Sequence, residues 1–389
     1  MLNFLFKKPN KSKESASDKI KKLNPSQYYN QGIEYKPKGE KEEDSIENNK
    51  YMVESFERLF NGSQVDLKEL RTLSANGIPQ RFRSKAWKIL SDYVSPNLQQ
   101  YESTLEFKRK EYSRMRTQHY EENFEKNTNK RLQEGLSTIH KDVDRTLGET
   151  KMFQSRLIKD ILVRILYIYH VRNSESGYAQ GMNDIAAPFI ILFTKEYITV
   201  DSNTLLIDPN FESMLSEEIL LNIEADSYWC FTRLLSCIKN NFTPSFPGVI
   251  EMLNKLHSLI EKLDPELDKI FKKNNIRYYD ICFQWFLCLL LRQFSAKLKF
   301  RLLDFYFTDK ENINEWLVYI GASLMLKFSN KLKDLKAYDK ILMFFTNLRT
   351  EDWGELDMGM LLGEAHIYKN SYNYSELNGD APNMDHFDH

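Results

Sequence analysis

The 389-residue chain is 42% hydrophobic and 13% aromatic, enough for a sizeable core in one large domain or two ordinary ones and incompatible with wholesale disorder. Its 54 Lys and Arg balance 55 Asp and Glu, a net charge of −1 that excludes the global basic field of a nucleic-acid binder. The cysteines Cys230, Cys237, Cys282 and Cys288 lie in apolar stretches with no CxxC pair and no Cys/His cluster at zinc spacing. They are expected as small buried hydrophobes in a reducing compartment, with no metal site.

Residues 1–62 read as a flexible arm, rich in Lys, Ser, Glu and Asn, with apolar periodicity only over 51–60. Residues 1–22 hold seven Lys against Glu14 and Asp18, a local net of +5. Leu2, Phe4, Leu5 and Phe6 followed by Lys7, Lys8, Lys11 and Lys13 give residues 1–13 the pattern of a weak peripheral contact with anionic membrane. No secretory signal is visible, and apolar runs such as 281–291 reach about half the ~20 residues of a membrane helix. A soluble cytoplasmic protein is the expectation.

The turn Gly77-Ile-Pro79 opens a helix over 80–93, closed near Pro96. Residues 98–123 are highly charged and predict a long exposed helix with i,i+4 ion pairs. Apolar residues at 157, 158, 161, 162, 165, 166 and 169 mark a 3.6-residue period over 154–171. Further helices are expected at 178–197, 216–239, 248–263, 277–293, 296–306, 313–329, 337–348 and 355–368. Pro188 predicts a kink or a late start in the first of these. Period-2 alternation and fixed repeats are absent, so the fold class is all-α. The tail from 369 to 389 is polar, without a core pattern.

No GxSxG, HExxH, GxGxxG or P-loop occurs, so the chain is not expected to bind a nucleotide by itself. Two polar clusters interrupt the apolar helical sequence. In Ile139-His-Lys-Asp-Val-Asp-Arg-Thr146, Asp142 and Arg145 are i,i+3 neighbours, so the carboxylate can orient the guanidinium; alone, such a pair is more often a solvated ion pair. In Gly177-Tyr-Ala-Gln-Gly-Met-Asn-Asp184 the glycines permit unusual backbone geometry, and Gln180, Asn183 and Asp184 offer a polar cap network. Alone, that reads as a helix start.

Taken in order, Gly77-Ile-Pro79 with Arg83-Ser-Lys-Ala-Trp87, then Ile139 to Arg145-Thr146, then Tyr178-Ala-Gln180-Gly-Met-Asn-Asp184 resemble the signature of TBC-domain Rab GTPase-activating proteins. Glu224-Ala-Asp-Ser-Tyr-Trp-Cys-Phe231 and Arg301-Leu-Leu-Asp304 resemble further family blocks. The resemblance covers roughly residues 66–368, and its Ala-Ala-Pro-Phe run and Tyr-Trp-Cys-Phe block are closest to the Golgi-associated branch. It implies a Rab-GAP domain of two helical subdomains over 63–368, with its motif-bearing core at 77–309. The family often has Trp where Leu303 stands; Leu keeps the position apolar and implies a repacked core.

The resemblance also implies a mechanism and a partner, a GTP-bound Rab-family GTPase. Arg145 is the arginine finger and Gln180 the glutamine finger, both supplied in trans. Hydrolysis develops charge on phosphoryl oxygens and needs an oriented water; a forked guanidinium and an amide suit those two tasks. The protein would then be an enzyme activator with no cofactor of its own, acting on the GTP and Mg²⁺ bound to its partner. Asp142, Thr146, Tyr178, Gly181, Asn183 and Asp184 are supporting or Rab-contacting candidates. Gly77, Ile78, Pro79, Arg83, Trp87, Asp226, Trp229 and Asp304 are expected to be structural. The competing readings are a non-catalytic Rab-binding scaffold of the same fold, a helical interaction protein unconnected with GTPases, and an enzyme of unrecognised type.

Overall fold

A computed structural model describes residues 46–121, 129–147, 150–201, 205, 207–335, 337–348 and 350–377. The membrane-contact pattern at 1–13 lies outside them. Among the described residues the chain is helical, with only two isolated β-bridges, Gln64 with Asn97 and Val200 with Ile207. No helix of the described residues is long and apolar enough to cross a membrane.

The first group of helices begins earlier than the sequence suggests. α1 (Lys50–Phe60) is capped by Asn49, whose side chain accepts from the Met52 amide at 3.1 Å. It buries Met52, Phe56 and Leu59, and Phe56 stacks on Phe82 with ring centres 5.6 Å apart. Residues 46–62 therefore belong to the folded domain rather than to an arm. α2 (Leu67–Ser74) is capped by Asp66, and α3 (Gln80–Leu90) follows Pro79 as expected. α4 (Tyr101–Arg116), extended by one π-turn over Thr117–Glu121, carries the expected Glu106–Lys110 pair. It is not simply an exposed helix, because Tyr101, Leu105, Tyr112 and Met115 form a buried stripe. Charges dominate its other positions, which hides that stripe in the sequence.

α5 (Lys130–Arg145) carries the first polar cluster at its end, and the short α6 (Lys151–Gln154) leads into α7 (Arg156–Arg172). α8 (Met182–Thr194) starts late, at Met182, and contains Pro188. α9 (Glu217–Cys237) is capped by Ser216. α7, α8 and α9 form the centre of this group: α5 packs on α7, α8 lies between α7 and α9, and α4 packs on α9.

The second group starts with α10 (Pro247–Leu263) and α11 (Pro265–Lys273), each with proline at its first position, where the missing N–H costs nothing. α12 (Tyr278–Leu287) ends six residues short of the expected 293. Leu289 and Leu290 take positive φ of 53° and 60°, and a 3₁₀ turn at Leu291–Gln293 follows. All of these leucines are buried, so tertiary packing overrides the apolar run that reads as continuous helix. α13 (Ala296–Thr308), α14 (Ile313–Lys327), α15 (Ser329–Asp334), α16 (Tyr338–Thr346) and α17 (Glu355–Ser371) complete the chain. α10 packs between α12 and α14, and α14 pairs with α17. α13 returns to the first group and rests on α2, α3 and α8, joining the two halves.

The polar tail also starts later than 369. Lys255 Nζ donates to the Tyr374 carbonyl at 2.8 Å, Tyr319 donates to the Tyr372 carbonyl at 2.6 Å, and Leu377 is buried. Residues 378–389 lie outside the described residues.

Candidate functional site

The end of α5 and the loop before α8 meet around one buried carboxylate. Asp142 is buried one turn before Arg145, and its two oxygens have different partners. Arg145 Nη2 donates to Oδ1, while the Tyr178 hydroxyl donates to Oδ2 at 2.7 Å. Burial, and then the Asp142 carboxylate, push the Tyr178 phenol well above its ordinary pKa, so it stays a donor. Thr146, where α5 ends, donates through Oγ1 to the Asp142 carbonyl at 2.8 Å. It accepts from Asn183 Nδ2, also at 2.8 Å. Asn183 Oδ1 in turn accepts the Gly181 amide at 3.1 Å. The buried Asp142, Asn183 and Thr146 and the half-buried Tyr178 thus form one connected network across two segments more than thirty residues apart.

The two residues carrying the expected chemistry sit on its rim. The Arg145 side chain is 56% exposed against 2% for Asp142, so the guanidinium is held through one terminal nitrogen while much of the side chain stays open. Gln180 is exposed. It does not cap α8: the residue at the N-cap is Gly181, no side chain caps the helix, and the amide-binding oxygen in the loop is Asn183's. Gly181 has φ +103°, and a Cβ there would lie 2.8 Å from the buried Cys288 sulfur. That combination admits only glycine comfortably. Burial pushes the Cys288 thiol up to about 12, which keeps it an inert wall.

Asp184 stands apart from the network. It pairs with Arg292 at 3.2 Å without an aligned hydrogen bond, and burial raises its pKa. The cavity bordered by Asp184 and Pro188 measures about 10 Å³, far below the ~300 Å³ or more of a small-molecule pocket.

The residues expected to be structural assemble elsewhere. Asp304 accepts from the Ile78 amide at 2.9 Å, from Arg83 Nε and Nη2 at 3.1 Å and from Trp87 Nε1 at 2.7 Å. The Gly77 turn, with φ +101°, fits against Arg301, whose Nη2 donates to the Ala75 carbonyl at 2.8 Å. Leu303 is fully buried beside this hub's helix face. Asp226 accepts from Tyr93 at 2.7 Å and from Arg109 Nε and Nη2 at 2.9 and 2.6 Å, and it pairs with Lys88 at 2.8 Å. Trp229 Nε1 donates to the Lys108 carbonyl at 2.9 Å. Pro79 simply precedes α3. Neither hub shares a side-chain hydrogen bond with the Asp142 network.

Sequence reasoning missed His170, which accepts the Tyr178 amide at 2.8 Å, and Arg131, which holds the Ser174 carbonyl. The signal available for His170 was a polar ring ending the apolar run of α7. Cys288 and Arg292, brought in from the second half of the chain, left no sequence signal.

The Rab-GTPase-TBC domain family matches residues 80–333. TBC1 domain family member 22B of Homo sapiens is 33% identical over 335 residues, covering 86% of this chain and 63% of that protein. GTPase-activating protein gyp1 of Schizosaccharomyces pombe is 34% identical over 325 residues, covering 82% and 61%. The chain therefore spans somewhat less than two thirds of the length of these relatives. The crystal structure of the Ypt/Rab-GAP domain of Gyp1p superposes with a TM-score of 0.76 at 29% identity, covering 83% of this chain and 99% of that one. The Chlamydomonas flagellar RabGAP TBC domain, at 17% identity and a TM-score of 0.56, shares the fold. With the family match spanning the greater part of the chain and every motif block placed in the fold, this chain belongs to the Rab-GTPase-TBC domain family.

Proposed function

We propose that the chain is a GTPase-activating protein for a Rab-family GTPase in its GTP-bound state, acting in vesicle trafficking, with Arg145 and Gln180 completing the partner's active site in trans. The observation that carries this reading is the contrast at the site: both reactive side chains are exposed, while Asp142, Thr146 and Asn183, which link their segments, are buried. A guanidinium anchored at one edge by Asp142 keeps its remaining donors for phosphoryl oxygens. The Gln180 amide, free of a capping role, has both its donors and its acceptor for the attacking water and a neighbouring group. GTP and Mg²⁺ arrive with the partner, and such a finger contributes ~10³–10⁵ in rate.

The test is GTP turnover across a panel of Rab GTPases, with Arg145→Ala and Gln180→Ala as controls. Acceleration by the parent and not by the variants supports the reading. Binding without acceleration by the parent identifies a scaffold instead, and neither binding nor acceleration across the panel points to an unrelated interaction protein.

The same reading places the protein in the cytoplasm, peripheral on Golgi or related endomembranes, with residues 1–13 touching anionic lipid. Deleting residues 1–22 is expected to reduce sedimentation with anionic liposomes while leaving activity in solution intact. Unchanged sedimentation would remove the arm from the account.

A further inference from the structure

His170 ends the apolar run of α7 and is buried. Its Nδ1 accepts the Tyr178 backbone amide at 2.8 Å, which fixes the neutral tautomer with the proton on Nε2. Burial lowers its pKa in keeping with that state. Nε2 makes no well-aligned hydrogen bond, and the backbone of Arg131 on α5 is the polar group it faces. The imidazole therefore meets a backbone group on each side, the Tyr178 amide at Nδ1 and Arg131 of α5 towards Nε2.

The ring is enclosed by two glycines from the two segments that meet at the site. A Cβ on Gly135 of α5 would lie 2.3 Å from Nε2, and one on Gly177 would lie 3.0 Å from Nδ1. Gly135 weakens the interior of the helix that ends in Arg145, a cost that makes sense only if the ring must fit there. Gly177, with φ +60°, begins the loop that carries Gln180. Arg131, one turn before Gly135, reinforces the same junction by donating to the Ser174 carbonyl.

We propose that His170 is a positioning residue that sets the Gln180 loop in register with the Arg145 helix. α5 fixes where the ring sits, and the ring's acceptor fixes the Tyr178 amide two residues before Gln180. This rests on Arg145 and Gln180 being the catalytic pair. The hydrogen bond acts on alignment, so its loss should reach the chemical step and spare partner binding.

The experiment measures kcat and KM for the Rab that the full chain stimulates most, alongside thermal melting. His170→Phe keeps a ring at this position and removes the acceptor; it is expected to lower kcat about tenfold with KM within about twofold. His170→Asn places an oxygen near the Nδ1 position and is expected to retain kcat within about threefold. Gly135→Ala, which displaces the ring, should behave like His170→Phe. An unchanged kcat in His170→Phe, a fall that merely tracks lost folded protein, or an Asn variant no better than Phe would overturn the proposal. Full stimulation by Arg145→Ala would instead overturn the catalytic assignment, and this inference with it.

Discussion

Arg145 needs its shape as much as its charge. Asp142 takes one edge of the guanidinium, and the exposed remainder must still bridge oxygens on the partner. A lysine ammonium cannot do both, because a point charge held by Asp142 offers no second, fixed set of donors. Arg145→Lys is expected to lose nearly as much stimulated GTP turnover as Arg145→Ala. Both should melt within a few degrees of the parent, since Arg145 itself is largely exposed and the buried Asp142 carboxylate keeps the Tyr178 hydroxyl as a donor. An Arg145→Lys variant that kept most of the rate would remove the finger role. Gln180 gives the complementary test. Gln180→Ala should lower stimulation at least tenfold, about 1.4 kcal/mol at the barrier, with almost no change in melting. A Rab whose own catalytic Gln is replaced by Leu should still respond to the parent; complete resistance would return the water-positioning role to the GTPase. The sequence alone left Gln180 open as a helix cap. Only the fold separates the readings: no side chain caps α8, and the loop amide of Gly181 is held by Asn183.

The loop before α8 works as an element because several constraints coincide within a few residues. Gly181 takes φ +103° with the Cys288 sulfur directly behind it, and the Asn183 side chain holds its amide. Gly181→Ala therefore faces backbone strain of ~1–2 kcal/mol and a steric contact together. Lower thermal stability and loss of stimulation are both expected. Adding Cys288→Ala removes the contact but not the strain, so the double variant should recover only part of the stability. Full recovery would mean that the backbone conformation is unimportant. The two glycines of this loop were legible as places of unusual geometry; the sulfur was not, because it arrives from a helix that starts almost a hundred residues later. The same division holds for other elements. α7 and α10 announce themselves by period and proline, whereas the break in α12 after Leu287 is invisible in a run of buried leucines. α1 looked like part of an arm because its eleven residues bury only a narrow face within polar surroundings.

At the scale of the whole molecule, α13 ties the late part of the chain to its beginning, and Asp304 is the point of attachment. The motif residues around Ile78, Arg83 and Trp87 lie more than two hundred positions away in sequence, yet all donate to this one carboxylate. A shared recognition pattern could place them in one family but could not say that they touch. Trp87 is also packed among Phe189, Phe300 and Phe307, so the hub sits where α3, α8 and α13 converge. Removing the carboxylate leaves the Arg83 guanidinium buried over the Phe300 ring with Gln80 as its remaining side-chain hydrogen-bond acceptor, and leaves the Ile78 amide and Trp87 indole without acceptors. Breaking a buried pair in this way costs ~3–5 kcal/mol, a large share of a typical domain's stability. Asp304→Ala should therefore lower the urea midpoint strongly, and Asp304→Asn, which keeps one acceptor, should do so less. The network around Asp142 shares no side-chain hydrogen bond with this hub, so the protein that remains folded in cold buffer should keep its KM for the Rab and most of its kcat. A double-mutant cycle with Arg83→Met separates the pair from its surroundings, since removing both charges should cost less than removing Asp304 alone. If Asp304→Ala kept the parent's urea midpoint but lost stimulation, the carboxylate would belong to the reaction rather than to the joint between the two halves.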